Sequence, residues 1–109
     1  MKIFKYELKR DWGNQIIVMP AVSIPFSFGH DPKGQLCIWA HVMTEEPNWG
    51  DSGGPHNPQM EHIFFMGMTG QDGPELPLDV LRRPLVNLGT VNDGGFMIHC
   101  FYIGRGAQK

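Results

Sequence analysis

The stretch Leu36-Cys37-Ile38-Trp39-Ala40-His41-Val42-Met43 decides how the chain is read. Successive side chains of an extended strand point to opposite faces, so one face carries Leu36, Ile38, Ala40 and Val42 and the other Cys37, Trp39, His41 and Met43. Both sets are largely apolar, the pattern of a central strand with cover on both sides of the pleat. The neighbouring segments supply that cover. Just upstream, Val22, Ile24, Phe26 and Phe28 alternate with Ser23, Pro25 and Ser27, a half-buried strand in which Pro25, having no N–H, marks an edge or a bulge. The turn formers of residues 29–34 join the two strands and predict an antiparallel pair.

Working outward, residues 3–8 set Phe4, Tyr6 and Leu8 on a buried face and Ile3, Lys5 and Glu7 on the opposite one. Residues 15–19 form another short strand, stopped by Pro20. Residues 60–68 are apolar on both faces and predict a second interior strand. Residues 85–91 and 96–103 are joined by Asn92-Asp93-Gly94-Gly95, whose residue types tolerate positive φ in a tight hairpin. Two stretches have no period of either kind: residues 44–58, with Trp49 among Pro and Gly, and residues 69–84, where 79–82 leave room for one helical turn between Pro77 and Pro84. The reading is all-β: a small antiparallel barrel or a two-sheet sandwich of about seven strands with two long loops. Residues 1–103 make a single β domain, and the polar, glycine-rich residues 104–109 a frayed C-terminal tail.

With 109 residues, 41% of them hydrophobic and 18% charged, the chain has the apolar surface to offset its conformational entropy and fold around one core. Fourteen Gly and nine Pro favour many turns over long helices. A net charge of -2, with Lys and Arg scattered, offers no basic face for nucleic acid. No run approaches the roughly 18 apolar residues of a membrane-spanning helix. The first residues alternate like a strand and lack the apolar centre of a signal peptide, which points to a cytoplasm. Cys37 and Cys100 lie within strand runs and read as buried free thiols in a reducing compartment.

Gly50-Asp51-Ser52-Gly53-Gly54-Pro55 matches the segment around the nucleophilic serine of chymotrypsin-like proteases, but the rest of that machinery needs a two-barrel scaffold of about twice this length. It reads as a glycine-rich loop. His30, His56 and His62 fall in or beside loops, yet the five histidines make no metal-ligand spacing. His41 and His99, in mid-strand, read as core residues; a zinc site is expected only if Cys37, His41, His99 and Cys100 converge. Residues 67–73 lack the Lys-Ser/Thr end of a phosphate-binding loop. Met60, Met66, Met68 and Met97 read as core filler. No catalytic residue, metal or cofactor is assigned. Trp12 and Trp49, both in loops, are the candidate partner-binding residues, because an indole is a favoured interface anchor.

Several segments together resemble a family of small uncharacterised proteins, a domain of unknown function, from tailed bacteriophages and prophages. They are Ile3-Phe4-Lys5-Tyr6-Glu7-Leu8, Gln15-Ile16-Ile17-Val18-Met19-Pro20, Leu36-Cys37-Ile38-Trp39-Ala40-His41-Val42, Thr69-Gly70, Asn87-Leu88-Gly89-Thr90-Val91 and Phe96-Met97-Ile98-His99-Cys100-Phe101. The chain departs from the pattern after Thr69-Gly70, where Gln71-Asp72 replaces a His-Pro pair. The resemblance implies a viral origin and a life in the infected host cytoplasm or in the virion, and no particular reaction.

The function expected is that of a non-catalytic accessory protein binding a host or phage protein, with inhibition of that partner one form it takes. The long loops around Trp49 and Gly73 are where recognition would be built. The alternatives are a capsid or tail decoration component and a small enzyme or ligand binder with a pocket in the sheet mouth lined by His41, His99 and Cys37. Residues 22–28, as an edge strand, also offer a route to a homodimer, which Pro25 opposes.

Overall fold

The computed structural model describes residues 2–43, 58–70 and 85–108. Its strands in chain order are β1 (Lys2–Glu7), β2 (Gly13–Pro20), β3 (Ser23–His30), β4 (Leu36–Val42), β5 (Gln59–Met68), β6 (Val86–Asp93) and β7 (Phe96–Gln108). They form two antiparallel sheets, a three-stranded one in the order β1-β4-β3 and a four-stranded one in the order β2-β5-β7-β6. The sheets do not close into a barrel, so of the two expected architectures the sandwich is the one adopted. Trp49, the Ser52 loop, His56 and residues 79–82 lie outside the described residues.

The core lies between the sheets. From β4, Leu36, Ile38 and Ala40 meet Phe64 and Met66 of β5 and Ile98 and Cys100 of β7, with Leu8, Met19, Phe28 and Leu88 closing the cluster. β4 and β5 are thus interior strands, as their sequences predict; the inward face of β4 is buried throughout and that of β5 from His62 to Met66. β3 pairs with β4 antiparallel, again as predicted. Its alternation is broken, however. The register shifts between Pro25 and Ser27, so Phe26 is an extra residue without a partner on β4. Ile24 and Phe26 therefore face out, while Phe28, predicted to share their face, is turned inward and buried.

The β6–β7 hairpin forms as expected, but β6 runs on through Asp93 and leaves a turn of two residues. Asp93 pairs with Phe96, and Gly94 and Gly95 between them take φ of +65° and +93°, values that an L side chain strains to adopt. β6 then lies beside β3 of the other sheet. At their closest approach Gly89 has φ +143°, and a Cβ there would stand 3.4 Å from the Phe28 carbonyl oxygen.

Two expectations are corrected. Residues 104–108 do not fray: β7 continues past a shift in register near Ile63, and Arg105 and Gln108 pair with His62 and Met60 of β5. The glycines that suggested a loose end fit the ladder, since at Gly106 a Cβ would press within 3.3 Å of the Ile63 side chain. Phe4, predicted to be buried, is 42% exposed although it shares the core-facing side with its partner Ala40. It sits on a strand that ends the sheet, with no strand on its other flank among the described residues.

Candidate functional site

The outer face of the three-stranded sheet is built from residues that the strand register sets side by side. Directly paired residues of antiparallel strands share a face. Three rows therefore cross the sheet: Ile3, His41 and Ile24; Lys5, Trp39 and Ser27; Glu7, Cys37 and Gly29. The bulge adds Phe26 to the first row, where its ring stacks on His41 with centroids 4.4 Å apart and planes 30° apart. The Trp39 indole lies over Gly29, 3.6 Å from where a Cβ would be. Ile3, Ile24 and Phe26 are 57%, 59% and 43% exposed, around the half-buried Trp39 and His41.

A buried carboxylate braces the polar end of this face. Asp31 accepts hydrogen bonds from the Lys5 ammonium, at 2.9 Å, and from the main-chain N–H groups of Lys33 and Gln35, each also at 2.9 Å. The Lys5 bond and the Gln35 N–H together pull the Asp31 pKa down to about 2. Lys5 is in turn held above its ordinary value by its bond to Asp31. The second row thus has a fixed cation beside an indole.

The other sequence candidates lie elsewhere. Trp12 is half-buried and packs against the core, which gives its indole a structural role. His62, expected beside a loop, is fully buried: β5 begins at Gln59, so position 62 falls inside the strand and points to the core. Its Nε2 faces the Pro20 carbonyl at 3.0 Å, and a carbonyl only accepts, so Nε2 carries the proton. Nδ1 therefore accepts from the Tyr102 hydroxyl at 2.9 Å. Burial lowers the His62 pKa.

His41 and Cys37 belong to one sheet and His99 and Cys100 to the other. No group of three or more metal-ligating side chains occurs among the described residues. His99 joins Thr69 and Thr90, the latter at 2.9 Å, on the outer face of the four-stranded sheet. Both cysteines are free and buried, as expected, and burial pushes the Cys100 thiol up to about 12. Met97, read as core filler, is exposed beside the hairpin turn.

Beside the turn that Asp31 braces, Asp93 binds the Arg10 guanidinium through both oxygens, at 2.9 and 3.2 Å, and His30 at 2.9 Å. Those bonds, the one from Arg10 foremost, lower its pKa to about 2. They tie the β1–β2 loop, the end of β3 and the end of β6 together. An open cleft of about 250 Å³ lies along Glu7, Lys9, Asp11 and Asn14, smaller and more polar than an ordinary ligand pocket. His41, His99 and Cys37 do not line it.

No known protein family matches the chain, and no curated protein or solved structure is significantly similar to it. Sequence reading missed the Ile3, Ile24, Phe26, Trp39 and His41 cluster. The strand β4 looked covered on both faces, and the bulge that turns Ile24 and Phe26 outward was signalled only by Pro25.

Proposed function

We propose that the protein is a non-catalytic binding protein whose contact surface is the outer face of β1, β4 and β3, and that its partner is a host or phage protein. The observation that supports this reading is the convergence of three exposed apolar side chains, Ile3, Ile24 and Phe26, on two half-buried rings across adjacent strands. Scattered apolar side chains are normal on a protein surface, whereas a contiguous group around aromatic anchors is the composition of an interface centre. The outer face of the other sheet supports the reading less well, because its exposed Ile16 and Val18 on β2 are separated by β5 from the exposed Met97 on β7, and Val18 pairs with Glu61.

The partner's nature follows from the phage-family resemblance. Its surface is expected to be apolar at the centre, with an acceptor positioned for Lys5. The test is affinity capture from infected bacterial lysate followed by mass spectrometry. A stoichiometric partner is expected that Phe26→Glu and Ile24→Glu abolish and Trp12→Ala retains in proportion to folded protein. No partner, or one insensitive to both glutamates, would overturn the proposal.

A further inference from the structure

The flank of β1 away from β4, which no strand pairs among the described residues, carries an inference distinct from the one about the outer face. The Leu8 N–H donates to the Leu36 carbonyl at 2.8 Å, so the even-numbered residues of this segment turn their main-chain groups toward β4. The N–H and C=O groups of Ile3, Lys5 and Glu7 consequently point the other way, where no strand pairs among the described residues. Such an edge is a template for another strand unless it is blunted by charged side chains, a proline, a bulge or a covering segment; on β1 the Lys5 ammonium is held by Asp31. β1 has neither proline nor bulge: its register with β4 is unbroken from Lys2↔Val42 to Glu7↔Cys37. The other terminal strands differ. β3 has Pro25 and a bulge and lies beside β6, and β6 has a bulge of its own. β2 ends in Pro20, and its Gln15 side chain holds the main chain of Lys9 and Asp11.

We propose that β1 pairs antiparallel with β1 of a second copy of this chain, in the register that sets Phe4 opposite Phe4, joining two three-stranded sheets into one of six. The two-fold axis of such a pair stands perpendicular to the sheet and keeps each face continuous, so opposed residue numbers must sum to an even number. Two central registers satisfy this. One centres on Lys5 and sets two ammonium groups directly against each other. The other centres on Phe4, opposes Ile3 to Lys5 and Lys2 to Tyr6, and brings no like charges face to face. In it Ile3 and Lys5 exchange the outward hydrogen bonds. Phe4 forms the close, non-hydrogen-bonded pair, with Cα atoms about 4.5 Å apart. The ring left 42% exposed on the core side of β1 gains its cover from its own copy.

Light scattering after size exclusion is expected to give a dimer. Ile3→Pro removes an N–H that points only at the partner, a position where an edge strand tolerates proline, and is expected to give a monomer with unchanged circular dichroism. Phe4→Cys is expected to form an intermolecular disulfide on oxidation and Lys5→Cys not to, which decides the register even if the proline variant fails to fold. A monomer at every soluble concentration, a dimer that survives Ile3→Pro in folded protein, preferential cross-linking through position 5, or a foreign strand on this edge of a monomer would each overturn the proposal. The capture experiment is read at Ile24 and Phe26 of β3, so it stands whichever way these readouts fall.

Discussion

His62 shows how one residue's surroundings set its chemistry. Its two ring nitrogens are committed to the Pro20 carbonyl and the Tyr102 hydroxyl inside the sandwich, and burial favours the neutral ring. With the folded pKa below the ordinary 6.5, the unfolded chain binds the proton first as pH falls. Stability is therefore expected to decline as pH drops through about 6.5, levelling off only below the folded value. Urea titrations across this range should show the decline, and His62→Phe should remove this residue's share of it. That variant also leaves the half-buried Tyr102 hydroxyl without its acceptor, while the Pro20 carbonyl keeps its bond from the Ser23 hydroxyl, at a cost of about 1–3 kcal/mol at neutral pH.

A second, more acid transition comes from Asp31 and Asp93, both held at a pKa of about 2 by their cationic partners. Their stabilisation is complete above the ordinary carboxylate value near 3.8 and is lost as pH falls toward 2. Asp31→Asn is expected to flatten this acid limb in a denaturation series.

At the scale of elements, the strands were legible wherever local chemistry decided them. The apolar runs of β4 and β5, the alternation of β1 and the Asp93-Gly94-Gly95 turn need no tertiary information to be read. Phe28 and Phe26 were assigned one face because period two was carried straight through Pro25, and the missing N–H there locates a bulge without saying which residue is extra. Residues 104–108 were read as loose because Gly and polar residues have low strand propensity. Pairing with β5 overrides that propensity, and a single sequence does not display its long-range partners. The site was hardly legible at all, since whether Trp39 and His41 are covered depends on how many layers the fold has. Gly89 offers a test at this scale. Gly89→Ala puts an L residue at φ +143° and a methyl group 3.4 Å from the Phe28 carbonyl oxygen. A loss of about 1–3 kcal/mol is expected in chemical denaturation, whereas Gly70→Ala, with open space around it, should cost less.

For the whole molecule, the sandwich separates two tasks. Its inner faces hold Leu36, Ile38, Phe64, Met66 and Ile98 out of water, and its three-stranded sheet offers water a face that is apolar at the centre. Exposed glutamates at Ile24 and Phe26 are thus expected to change binding with little change in thermal midpoint. If β1 pairs with its own copy, two such faces lie side by side and the partner meets a doubled surface. The most direct measurement is an NMR titration of the isotope-labelled protein with the captured partner. The account predicts shifts at the Ile3 and Ile24 methyl groups and the Trp39 indole N–H, with Ile16 and Val18 on the opposite face unmoved. Shifts confined to Ile16 and Val18, or binding that leaves all of these signals in place, would contradict it.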